Sequence, residues 1–136
     1  MGLLDDLKQQ SESKKAEEDQ ESLRREKADA SSLINRRVKK MINAGLVDEV
    51  ESLLDEDRPL SRQARCAIGY AEIIDHLNGK TSLEEAIELI KVHTRQLAKS
   101  QRTWFKTFRD VNWIDIEPNE PAERIFDRAV EVLRVE

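Results

Sequence analysis

One cysteine, three prolines, four glycines and 4% aromatics are what this sequence has least of, and each scarcity excludes something. The single thiol, Cys66, rules out a disulfide framework within the chain and suits a reducing compartment. So few glycines and prolines do not make a loop-rich β sandwich. The few aromatics leave material for one modest core. No apolar run approaches the roughly 20 residues of a membrane-spanning helix. The opening Met1-Gly2-Leu3-Leu4-Asp5-Asp6 is acidic and has no apolar h-region, so neither a signal nor a transit peptide is expected. Together these absences predict a cytoplasmic protein of one domain in 136 residues.

Charge is plentiful: 38% of residues are Asp, Glu, Lys or Arg, with a net charge of -5. That balance does not mark the whole molecule as a nucleic-acid binder, but the charge is unevenly placed. The wealth of Glu, Lys, Leu, Ala and Arg favours helices. Met1 to Ser32 holds nine acids and six bases. After Leu7 its only leucine is Leu23, and it has no aromatic. Such a segment buries too little apolar surface to offset its ordering entropy, so it reads as a solvated helix or a disordered arm. Leu3, Leu4 and Leu7 make a small apolar face suited to docking on a partner or on the domain.

From Ser31 the apolar period becomes helical. Ser31 or Ser32 is a candidate cap for a helix through Leu33, Ile34, Val38, Met41 and Ile42, and Gly45 is a natural stop. A second helix carries Leu46, Val47, Val50, Leu53 and Leu54 and ends before Pro59. A third is expected from Ser61 to Leu77, with Ala64, Ala67, Ile68, Ala71, Ile74 and Leu77 inward. Thr81 or Ser82 opens a long helix to about Arg109, and Ser82 with Glu85 makes a capping box. Trp113-Ile114-Asp115-Ile116 is a short extended stretch. Pro121 suits the first turn of a last helix that buries Ile125, Ala129, Val132 and Leu133. The expected fold class is all-α: about five helices in a small bundle (residues 31–136) after a charged N-terminal arm (residues 1–30), with room for one short isolated strand near Trp113. The expected core is Met41, Leu53, Ile68, Ile74, Leu77, Ile87, Ile90, Leu97 and Trp104.

The sharpest local feature is a basic stripe. Lys91, Arg95, Lys99, Arg102, Lys106 and Arg109 are spaced by 4, 4, 3, 4 and 3, which confines them to roughly 80° of a helix circumference. No acid occurs between Lys91 and Arg109. Cations so arranged suit a phosphate backbone, bound electrostatically and with salt sensitivity. The bland alternative is a solvated face whose charges pair with some of the 28 acids elsewhere. A second basic cluster, Arg36, Arg37, Lys39 and Lys40, has the same two readings, with one arginine able to give a phosphate a bidentate contact.

Other features carry less. Gly79-Lys80-Thr81 looks like the end of a phosphate-binding loop, but the pattern needs glycine at position 74, which is Ile74, and a preceding strand. A helix-to-helix turn explains it better. His76 and His93 lie far apart, Cys66 has no partner at metal spacing and reads as a small buried residue, and no pair of carboxylates stands out as an acid–base couple. No metal site, cofactor or catalytic residue is expected.

Two stretches are recognisable. Ala67-Ile68-Gly69-Tyr70-Ala71-Glu72 leads through His76-Leu77-Asn78-Gly79 to Ser82-Leu83-Glu84-Glu85-Ala86-Ile87. Thr94-Arg95-Gln96-Leu97-Ala98-Lys99-Ser100-Gln101-Arg102-Thr103-Trp104-Phe105-Lys106 follows, and then Trp113-Ile114-Asp115. With Arg37 through Val50 upstream, they resemble the C-terminal helical region of the tRNA dimethylallyltransferase family over about residues 33 to 116. The arm before residue 31 is outside the resemblance.

The resemblance implies transfer of a dimethylallyl group to adenosine beside the anticodon. In the family a P-loop-like core holds the diphosphate and helices grip the anticodon stem. It implies a prenyl-diphosphate contact for Arg37 and tRNA contacts for Gly69, Tyr70, Lys99, Gln101, Thr103 and Trp104, and it adds weight to Arg95, Arg102 and Lys106 of the stripe as tRNA-binding. The family's phosphate loop and catalytic acid have no counterpart in these residues. Ala71 and Ser100 stand where the family is usually basic, Cys66 where it often has glutamine and Leu33 where it often has arginine, while Arg102 adds a cation. Prenyl transfer by this chain alone is therefore not expected. Three readings follow: a truncated paralogue binding tRNA or another structured RNA, a subunit completing a split transferase with a P-loop partner chain, or a helical protein-interaction module. None involves a membrane.

Overall fold

A computed structural model describes residues 2–134, excluding the side chains of residues 3–7, so the expected apolar face of Leu3, Leu4 and Leu7 lies outside the described residues. Its described residues form six helices and no strand: α1 Leu3–Asn43, α2 Leu46–Asp55, α3 Arg62–Arg65, α4 Tyr70–Leu77, α5 Leu83–Phe105 and α6 Ala122–Leu133. The all-α expectation holds. The chain divides into two units, Met1–Ala98 and Lys99–Glu136.

In the first unit the helices are set by local signals at their ends. The helix α1 stops because Gly45 takes φ 99°, a left-handed conformation that costs glycine little, and its N–H returns to the Ile42 carbonyl at 3.1 Å. The helix α5 starts on the expected box: the Ser82 hydroxyl accepts from the Glu85 N–H at 3.1 Å while Glu85 accepts the Ser82 N–H at 2.8 Å. Gly79-Lys80-Thr81 is a turn, with the Lys80 ammonium 2.8 Å from the Asp75 carboxylate. The faces so aligned bury Val38 of α1, Leu46 and Val50 of α2, Ile73 and Ile74 of α4, and Ala86 and Ile90 of α5. Met41, Leu77 and Ile87 pack against that core. Each buried Val, Leu or Ile contributes about 1.5–3 kcal/mol over its exposed state.

Several expectations are corrected. The first helix passes through Ser31 and Ser32 without a break, because no residue nearby stops the helix that begins at Leu3. The expected third helix is two: Ser61 caps α3 through the Ala64 N–H at 3.1 Å, and Gly69, at φ 99°, separates it from α4. That break shifts the helical phase, which leaves Ile68 37% exposed and Cys66 exposed rather than buried. Leu97 is 46% exposed, because the buried stripe of α5 ends at Ile90.

The second unit comprises the end of α5, an irregular stretch and α6. Trp104 sits edge-on to Phe105 and Phe108, with ring centres 5.0 and 4.8 Å away, yet it stays 58% exposed and is not core. The long helix ends at Phe105 rather than Arg109, where Thr107 and Phe108 turn their N–H groups back to Trp104 and Phe105. Residues 111–117 form no strand, and Trp113 and Ile116 are exposed; a lone strand has no partner to satisfy its backbone. Pro121 is the N-cap of α6. An Arg128 to Glu120 bond at 2.5 Å, with Glu120 also accepting the Glu117 N–H at 3.1 Å, holds the turn before α6. Ile125 and Ala129 are half-buried, but Val132 and Leu133, in the last turn of the helix, are exposed.

Candidate nucleic-acid interface

The basic stripe does not behave as one set. Within the first unit, Lys91 is neutralised locally by Glu88 at 2.5 Å, and Arg95 donates to the Asn35 side chain of α1 at 2.8 Å. Both are half-buried. Within the second unit, Lys99, Arg102, Lys106 and Arg109 are exposed, and none has a carboxylate within 4.0 Å among the described residues. Pairing with acids elsewhere therefore accounts for Lys91 and not for those four. The aromatic group Trp104, Phe105 and Phe108 is interleaved with them along the chain. The Thr103 hydroxyl donates back to the Lys99 carbonyl at 3.0 Å, and Gln101 is exposed.

The cluster on α1 is also open. Arg36, Arg37, Lys39 and Lys40 are exposed around the buried Val38, with no ion pair among the described residues. The hydrogen bond from Arg95 to Asn35 brings this part of α1 beside α5. Spacing gave no hint of it, since the two residues are 60 apart.

Gly69 and Tyr70 occupy the start of α4. The Tyr70 ring packs against the core, and its hydroxyl donates to the Glu49 carboxylate of α2. That bond, then burial, then the Glu49 charge raise the phenol above its ordinary value of 10.0. Gly69 is buried, and its N–H is held by Glu72 at 2.7 Å. Sequence reasoning missed Asn35, Glu49 and Glu72. Only Glu72 had a local signal, since it stands three residues after the residue it caps. No group of three or more His, Cys, Asp or Glu side chains suited to a metal occurs among the described residues. No described helix is long and apolar enough to cross a membrane.

The profile of the IPP transferase family matches residues 4–108. The chain belongs to that family. Among curated relatives, the tRNA dimethylallyltransferase of Crocosphaera subtropica is 42% identical over 100 residues, which is 71% of this chain and 32% of the relative. That of Bacillus licheniformis is 48% identical over 85 residues, 62% of this chain and 27% of the relative. The chain thus spans about a third of the length of the curated relatives it matches. Two solved structures share its fold. The tRNA isopentenylpyrophosphate transferase of Bacillus halodurans aligns with a TM-score of 0.69 and 36% identity, covering 79% of this chain and 35% of that one. That of Staphylococcus epidermidis aligns at 0.70 and 33%, covering 81% and 36%. The IPP transferase match corrects the expectation that the arm lies outside the resemblance: it covers residues 4–108 and so reaches back through α1. A solvated charged helix offers few apolar landmarks, so motif matching passes over it.

Proposed function

We propose that this chain acts in tRNA modification as an RNA-binding part of an IPP transferase-type protein and does not transfer a prenyl group by itself. The reading rests chiefly on one observation: Lys99, Arg102, Lys106 and Arg109 are exposed and without acidic partners among the described residues, in the same segment as the exposed Trp104. Unpaired cations release counterions from a phosphate backbone, and an accessible indole stacks on unpaired bases such as those of an anticodon loop. Gly69 and Tyr70 contact the same RNA in this reading, and Arg37 faces a prenyl diphosphate supplied with the rest of a transferase. Prenyl transfer needs donors preorganised around that diphosphate, and these 136 residues contain no phosphate-loop pattern. The site of action is the cytoplasm, where tRNA is.

The test is binding of a labelled anticodon stem-loop across a salt series, against a duplex of equal length. The expected result is preferential stem-loop binding that weakens steeply with salt. In Lys99→Ala with Arg102→Ala the slope of log K on log salt should fall by about 1 per charge removed. No binding at low salt would sink this reading. A second reading is favoured by Trp113 and Ile116, which are 61% and 62% exposed: the chain completes a transferase with a P-loop partner that covers them.

A further inference from the structure

Glu72 is a buried charged residue, 6% exposed. Both carboxylate oxygens are committed. One accepts the Gly69 N–H at 2.7 Å, and the other accepts from the Nδ1–H of His93 on α5 at 2.5 Å. The same chain shows what helix capping alone requires. Glu85 caps Ser82 from an exposed position, with one oxygen used and no bond to another helix. Glu72 is buried and reaches 21 residues along the chain to a second element.

What it holds is a backbone that does not set itself. Gly69 lies at φ 99°, and a Cβ there would meet the Leu46 side chain at 3.9 Å. The turn ahead of α4 thus lies in ordinary contact distance of Leu46 and is anchored by Glu72. His93 lies two residues before Arg95, which α1 holds through Asn35. The two residues point to opposite sides of α5 at about 100° per residue. We infer that Glu72, through His93, is a positioning residue: it fixes the Gly69–Tyr70 turn in register with α5 for recognition of a structured RNA loop. The inference rests on the RNA-binding reading above. A cap without the α5 tie leaves the turn formed but free to shift against Arg95. Phosphate attraction survives that shift, whereas discrimination of one RNA shape does not.

The test compares affinity for the anticodon stem-loop with affinity for the equal-length duplex, at a temperature where circular dichroism shows every variant folded. His93→Ala keeps the cap and removes the tie. It should lose roughly tenfold in stem-loop preference, the scale of one well-placed polar contact, with duplex affinity and salt slope unchanged. His93→Gln, whose amide replaces the Nδ1–H donor, should restore the preference. Ile73→Ala, a core substitution beside Glu72, should lower the melting temperature and leave the preference intact. Unchanged preference in His93→Ala, or equal loss in Ile73→Ala, overturns the positioning role and leaves the RNA reading standing. An unaltered chain that binds no stem-loop overturns both.

Discussion

Tyr70 is the sole tyrosine of the chain, so its ionisation can be followed without a competing signal. Its hydroxyl donates to Glu49, and the bond is possible only while the phenol keeps its proton. The hydrogen bond, burial and the neighbouring charge all favour the neutral form, so the folded state holds this proton more tightly than the unfolded chain. The stability this pair contributes is fully present below the unfolded value of 10.0 and is lost as pH rises through the folded value. Phenolate absorbance should therefore titrate with a midpoint above 10.0 in the folded chain. In Glu49→Ala the midpoint should move down towards that value. A midpoint already at 10.0 in the unaltered chain would show that the Tyr70–Glu49 bond does not form in solution. This contact also bears on recognition. A Tyr70 hydroxyl given to Glu49 is not a free donor for RNA, so in the RNA-binding reading Tyr70 would contribute the edge or face of its ring.

Among the elements, α1 has two parts that the same geometry treats differently. From Ile34 onward it presents Ile34, Val38, Met41 and Ile42 to the core. From Lys8 to Asp29 every residue is exposed. Isolated helices are marginal in water, and an exposed pair such as Arg25–Glu21, 3.4 Å apart, contributes only about 0.3–0.5 kcal/mol. Hydrogen exchange should therefore run fast over residues 8–29 and slow sharply between Ile34 and Met41. Uniform protection along α1 would show that a partner or a second copy covers the arm. How legible an element was depends on where its determinants lie. Gly45 and the Ser82–Glu85 box were readable because each acts within a few residues of itself. The apolar period found Ile74, Ile87 and Ile90 for the same reason. The break at Gly69 had a local signal in Glu72, but the tie from Glu72 to His93 was not readable, since the two lie 21 positions apart in sequence. Nor were the partners of Arg95 and Tyr70. The exposure of Leu97 and Trp104 escaped for a different reason: periodicity tells which face is apolar, not whether anything covers it.

For the whole molecule, a net charge of -5 opposes association with nucleic acid, so binding depends on where the charge sits. Lys99 to Arg109 has four cations and no acid, while Asp48 to Asp57 on and after α2 has six acids and no base. Both tryptophans lie in the second unit and both are exposed, Trp104 at 58% and Trp113 at 61%. They separate the two functional readings, because RNA stacking and partner docking cover different indoles. Trp104 belongs to the cation-rich segment within the family match, and Trp113 follows it. In the free chain a neutral quencher should reach both. A stem-loop should shield Trp104, so Trp113→Phe should keep the full protection and Trp104→Phe should lose it. A partner bearing the phosphate loop should shield Trp113 and give the reverse pattern. Protection of Trp113 alone, with none from RNA, would turn the reading from an RNA-binding chain to half of a two-chain transferase. In that case the exposed cations would engage tRNA only after assembly has placed them.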